Sequence, residues 1–191
     1  MNVYNVALKR RSIRCFKKRK ISFNILKRLI NVARVAPSVA NLQPCEFIVV
    51  DKKETLKIIF STLKWARYIS PKGNPPRGKE PTAYIVALFN RRKSPLYAEV
   101  DIAVAIENIL LVAQDEGLGS CWLGTIDKAK IRNILKIPKY CEAKYVLALG
   151  YPDERPKVER LRNSVKYWKD GNGLLHVPKR SLKEILHRNA Y

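Results

Sequence analysis

The spacing of apolar residues along this chain switches between helical and strand periods, and each switch predicts an element. Behind Ser22, residues Ile25, Leu26, Leu29, Ile30 and Ala33 recur at helical spacing until Pro37 closes the pattern, which predicts an amphipathic helix capped by Ser22. Asn2 caps a shorter helix before it, running to about Arg10. EFIVVD at 46–51 is short, apolar and β-branched and predicts a strand, and KKETLKIIFSTLKWA at 52–66 returns to helical spacing. SPKGNPPRGKEP at 70–81 holds four prolines and two glycines, which forbid regular structure and predict an exposed loop. A buried strand follows at TAYIVALFN, 82–90.

Residues 97–116 are apolar on nearly every side through Val100, Ile102, Val104, Ile106, Ile109, Leu110 and Val112. A helix with so little polar face belongs in a core or a subunit interface, and Gly117 suits its C-terminal end. SCWLG at 120–124 reads as a strand, Asp127 as the cap of a helix over KAKIRNILKI, and AKYVLALGY at 143–151 as the last strong strand. Four strands with interleaved helices predict one mixed α and β unit over 1–152. Beyond Pro152 the apolar density falls and charges multiply, so 153–191 is expected to be an extended arm of the same domain, too polar to fold on itself.

Composition narrows the partners. A chain of 191 residues with 47% hydrophobic content can bury one respectable core and is not a disordered polymer. Its net charge of +22 favours anionic partners: nucleic acid, a membrane surface or a phosphorylated cofactor. The densest run, KRRSIRCFKKRK at 9–20, has eight basic side chains in twelve positions. Cys15, Cys45, Cys121 and Cys141 lie 30, 76 and 20 positions apart, so they form no CxxC pair, and only His176 and His187 are available to complete a metal site. No metal is expected. Scattered cysteines behind a start, MNVYNVALKRR, without an apolar leader point to a reduced, cytoplasmic protein. The most apolar stretch, IAVAIENILLVA at 102–113, is interrupted by Glu107 and Asn108 and is too short to cross a bilayer.

The usual catalytic sets find little support. Both histidines sit in the charged tail with no triad signature around them. No GxGxxG follows a strand, and GLGSCWLG at 117–124 lacks the lysine of a phosphate-binding P-loop. Asp115 with Glu116 and Asp153 with Glu154 read as surface charges. No catalytic side chain is assigned.

RRSIR at 10–14, APSVANLQP at 36–44, the long apolar helix running into GLGSCWLG at 117–124, and ALGYP at 148–152 remain. In that order and at those separations they resemble the nitroreductase family of flavin enzymes, over essentially the whole chain. The resemblance implies an α+β fold with a central mixed or antiparallel sheet of four to five strands flanked by helices. It also implies FMN as cofactor, NADH or NADPH as electron donor, and a homodimer in which the C-terminal arm is exchanged and flavin lies at the subunit interface.

By the same resemblance Arg10 and Ser12 hold the flavin phosphate and ribityl end, with Arg11 a further candidate, and Arg14 reaches the pyrimidine edge. A doubly charged phosphate suits forked guanidinium donors and a hydroxyl two residues apart. Pro37, Ser38, Asn41 and Gln43 would approach the ring from the partner subunit, Leu123 and Gly124 by their backbone, and Lys179 and Arg180 would close over the phosphate. Lys17 to Lys20 revert to a solvated rim. The implied activity is electron transfer from nicotinamide nucleotide to a small oxidised acceptor, nitroaromatic or quinone, by a ping-pong mechanism. A flavin-binding protein without turnover is the alternative. A nucleic-acid-binding protein is disfavoured, because the basic residues are spread over every segment.

Overall fold

The computed structural model describes residues 2–94 and 96–191. Helix α1 (Val3–Lys9) begins where the Asn2 side chain accepts the Asn5 N–H at 2.9 Å, and α2 (Phe23–Ala33) where Ser22 Oγ accepts the Ile25 N–H at 3.4 Å. Then follow β1 (Cys45–Val50), α3 (Lys53–Phe60), β2 (Ala83–Asn90), α4 (Ala98–Asp115) and β3 (Gly119–Leu123). Helix α5 (Lys128–Leu135), capped by Asp127, precedes β4 (Cys141–Gly150). The first four strands form one antiparallel sheet in the order β1-β2-β4-β3.

Strand β2 is buried along its whole length because both faces of the sheet are covered. Side chains alternate across a strand, and the two sets go to different layers. Tyr84, Val86 and Leu88 pack with Ile59 of α3 and Ile131 of α5. Ala83, Ile85, Ala87 and Phe89 pack with Leu26 and Leu29 of α2 and with Ile102, Ile106 and Ile109 of α4. The expected α+β fold with an antiparallel sheet flanked by helices is therefore present. Helix α4 is less enclosed than its sequence predicts. Ile102 and Ile106 are fully buried against the sheet of the same chain, whereas Val100 is 56% and Val104 37% exposed. Near them lie exposed Leu96 and Tyr97, and α1, which packs on α4, exposes Val3, Tyr4 and Leu8.

The tail corrects the expectation of an arm that cannot fold on itself. Strands β5 (Lys157–Arg160), β6 (Trp168–Lys169) and β7 (Leu175–Lys179) make a small second sheet, β5 parallel and β6 antiparallel to β7. Polar contacts hold it. His176 lies between Glu159 at 3.1 Å and Asp170 at 3.2 Å and stacks on Trp168, whose Nε1–H donates to Glu159 at 2.9 Å. The Trp168 donor, with His176 in support, holds the Glu159 carboxyl below its ordinary range. Within this small sheet Leu175 is the buried apolar residue. The tail then docks on residues 67–72: Tyr167 packs on Tyr68 at 5.1 Å, and Lys169 Nζ donates to the Lys72 carbonyl at 3.4 Å. Among the described residues no helix is long and apolar enough to cross a membrane.

Candidate functional site

The RRSIR box leaves α1 in extended conformation and joins the sheet beside its edge strand. Ser12 forms a parallel bridge with Ser120 of β3, and the Ile13 N–H donates to the Ser120 carbonyl at 2.9 Å. Two glycines let this segment lie flush. A Cβ on Gly119 would stand 2.8 Å from Ile13 Cβ, and one on Gly150 would stand 2.7 Å from the Phe16 ring, distances at which something must move. Glu154 then fastens the box from the tail side: its Oε1 accepts the backbone N–H groups of Arg14 and of Cys15, the latter at 3.1 Å. The expectation of Glu154 as a surface charge is corrected, while Asp153 does sit outside, paired with Lys79.

Arg10, Arg11 and Arg14 are each half-buried. Among the described residues no carboxylate lies within ion-pair distance of any of them. Burial, followed by the charge of Arg10, lowers the pKa of Arg11. The Nε–H groups of Arg11 and Arg14 are buried without an acceptor. A buried donor left unpaired costs about 1–3 kcal/mol, a cost that an acceptor brought to these two groups would relieve.

Beside it lies a cavity of about 540 Å³ lined by Arg14, Trp65, Leu123, Gly124 and Tyr167 among others. Arg14 lies over the Tyr167 ring, 5.2 Å from its centroid. Cys121 lines the same cavity; burial raises its thiol pKa, and the nearby Arg14 works in the opposite direction. The structure thus brings Arg10, Arg11, Ser12, Arg14, Leu123 and Gly124 to one sheet edge.

Pro37, Ser38, Asn41 and Gln43 lie elsewhere. They precede β1, the other edge strand, so three strand spacings, roughly 14 Å, separate them from β3 across the sheet. Their loop is stitched in place: Ser38 Oγ accepts the Gln43 N–H at 3.0 Å, and Asp101 Oδ1 of α4 accepts the Val39 N–H at 3.0 Å. Ala40, Asn41 and Gln43 hold φ of 48°, 55° and 50°, left-handed values that residues with a Cβ adopt only under constraint. Lys179 and Arg180 are exposed at the end of β7 and beyond it, and neither lines the 540 Å³ cavity. Within one chain the predicted residues therefore form two clusters and an exposed basic pair.

Trp65, Asp101, Glu154 and Tyr167 were not anticipated as site residues. Glu154 and Tyr167 stand in the polar tail, and Asp101 is hidden in a helix read for its apolar content. For Trp65 a signal existed, a tryptophan at the end of a helical pattern beside a proline-rich loop.

Comparison with known proteins shows the family. The family model described as Nitroreductase family matches residues 7–151. A relative from Archaeoglobus fulgidus with the provisional name NADH dehydrogenase/NAD(P)H nitroreductase is 32% identical over 152 residues, 76% of this chain and 82% of that protein. The iodotyrosine deiodinase of Thermotoga neapolitana is 27% identical over 182 residues, 86% of this chain and 97% of that one. The solved FMN-dependent nitroreductase of Clostridium difficile superposes with a TM-score of 0.70 at 27% identity, covering 98% of this chain and 99% of that one. The chain belongs to the nitroreductase family.

Proposed function

We propose that this protein is an FMN-dependent oxidoreductase. It would pass electrons from NADH or NADPH to a small oxidised acceptor, nitroaromatic or quinone, in two half-reactions at a site shared by the two subunits of a homodimer. The observation that carries this reading is the arginine cluster with its unsatisfied Nε–H donors, set beside a cavity bounded by Leu123 and Gly124. A dianionic phosphate fits Arg10, Arg11 and Ser12, because charge-assisted bonds to guanidinium are among the stronger ones a protein makes. Arg14 suits the pyrimidine edge of the flavin ring, and the backbone at Leu123 and Gly124 bounds the ring without a bulky side chain at Gly124. When bound, the flavin supplies a centre that accepts hydride from a reduced nicotinamide and returns electrons to an acceptor. The protein's part is to bind, orient and exclude water.

The distance between the two clusters supports the dimer. Pro37, Ser38, Asn41 and Gln43 lie too far across the sheet to serve the arginine cluster of their own chain, but a second copy related by a twofold axis can present them. The exposed Val100, Val104, Leu96, Tyr97, Val3 and Leu8 offer an apolar surface for that copy. Lys179 and Arg180 complete the reading as cations of the tail available to the phosphate.

The test is the absorbance spectrum of the purified protein, followed by NADH and NADPH consumption with a panel of quinones and nitroaromatics. Flavin bands and acceptor-dependent turnover are expected. A protein that takes up no FMN on reconstitution refutes the reading, and bound flavin without turnover leaves a non-catalytic flavoprotein in its place.

A further inference from the structure

The cavity beside Arg14 carries donors besides that arginine. Three cations line it, Arg14, Lys64 and Arg67, and none of its lining residues is acidic. Trp65 lines it too; the residue is 5% exposed, and its indole Nε1–H is buried without an acceptor. Aromatic surfaces bound the space. Trp65 packs on Phe60 with ring centroids 5.8 Å apart, Trp122 meets Tyr145 edge to face at 5.1 Å, and Tyr167 reaches in from the tail. The segment that carries Lys64 and Arg67 is held by the Lys64 N–H donating to the Thr125 carbonyl at 3.1 Å and by Tyr68 packing on Tyr167 at 5.1 Å, and the Ile69 N–H closes a turn within it on the Ala66 carbonyl at 2.9 Å.

Flat aromatic walls select a planar ligand. Cations without an acidic counterpart, next to a tryptophan N–H without an acceptor, select one rich in acceptor oxygens and negative in charge. If Arg14 serves the cofactor ring, Lys64, Arg67 and Trp65 remain for a second molecule. Building on the flavoenzyme reading, we infer that the electron acceptor is a planar aromatic bearing an anionic oxygen group, such as a carboxylate, sulfonate or phenolate. Lys64 and Arg67 meet its charge, Trp65 donates to a neutral oxygen, and these three residues set the specificity.

The experiment uses the flavin-loaded protein with 4-nitrobenzoate and 4-nitrobenzamide as acceptors, and benzoate and benzamide as non-reducible probes read by perturbation of the flavin absorbance. The anion is expected to be favoured at least about tenfold in kcat/KM and in binding. That ratio should fall about tenfold in the Lys64→Gln/Arg67→Gln double variant, the loss of roughly one charge-assisted contact. It should stay unchanged in Lys183→Gln, which removes a remote exposed cation. A wild-type ratio near one overturns the inference, as does an equal fall in Lys183→Gln, which would assign the preference to overall charge. Loss of flavin from the double variant, or a raised KM for NADH with the acceptor ratio unmoved, assigns the cations to cofactor or donor and overturns it as well. A wild-type protein that never takes up flavin overturns the parent reading along with this one. Flavin-loaded enzyme that reduces both acceptors equally overturns this one alone.

Discussion

Arg10 stands where α1 ends and the backbone turns extended (φ −57°, ψ 129°). Its charge acts on Arg11, and Arg10 and Arg14 both act on Cys121, with no carboxylate among the described residues within ion-pair distance of these arginines. Arg10→Ala should give a soluble protein that binds FMN about ten- to hundredfold more weakly, since a bond to a charged group contributes about 1.5–3 kcal/mol. Fluorescence titration of the dialysed variant measures this, and full flavin occupancy after dialysis would contradict the assignment. Arg14→Ala should instead lower the flavin midpoint potential by about 30 mV, equivalent to about 1.4 kcal/mol for two electrons, because its cation matters most once the ring carries negative charge. An unchanged potential would remove Arg14 from the pyrimidine edge.

Away from the site, Glu142 of β4 gathers Arg91, Lys128 and Lys144 at 2.6, 3.0 and 3.1 Å. Burial opposes its ionisation, but those three donors prevail and hold its pKa down to about 2. A folded-state pKa below the unfolded one stabilises above the unfolded value and ceases to as pH falls. The contribution should therefore disappear between about pH 4.5 and pH 2. Thermal melts of wild type and Glu142→Gln should differ at pH 7 by on the order of 1 kcal/mol after solvent screening, and converge near pH 2.

Among the elements, α4 is the most informative, because one of its apolar faces is buried on the sheet and the other is exposed. Ile106 faces the sheet of its own chain, so Ile106→Ala should cost about 2–5 kcal/mol, and a charge there would unfold the chain rather than report on assembly. Val104 is the proper probe of the outer face. Val104→Asp should leave the protein folded by circular dichroism while splitting the dimer and releasing flavin with it; light scattering that still gives twice the 22.0 kDa chain mass would show that this face is not the interface.

The main elements were legible because their signals are local. Asn2, Ser22 and Asp127 sit where their side chains reach backbone donors, and Ala83 to Asn90 reads as a continuous apolar strand because both its faces are covered. The second sheet was not legible, since Glu159, Trp168, Asp170 and His176 hold it by hydrogen bonds and stacking, and such contacts leave no periodic apolar trace. The RRSIR box was legible as a motif, but Glu154, 140 positions from Arg14, carries no mark of its role until the chain is folded.

At the scale of the whole molecule, the predicted residues lie at the two edges of the sheet: the arginines and the cavity at the β3 edge, the stitched loop of 37–43 at the β1 edge. A twofold pairing brings one kind of edge to the other twice, so two equivalent sites would arise from one interface.

The way the box is fastened also bears on when the site can exist. Ser12 meets Ser120, and Arg14 meets Glu154, across more than a hundred residues of chain, and contacts that close such long loops form late in folding. The pairing of β3 with β4, which spans helix α5, must be in place before RRSIR has anything to lie against. Cofactor should accordingly have little influence on how fast the chain folds and much on how slowly it comes apart, acting as a brake on unfolding rather than a template for folding.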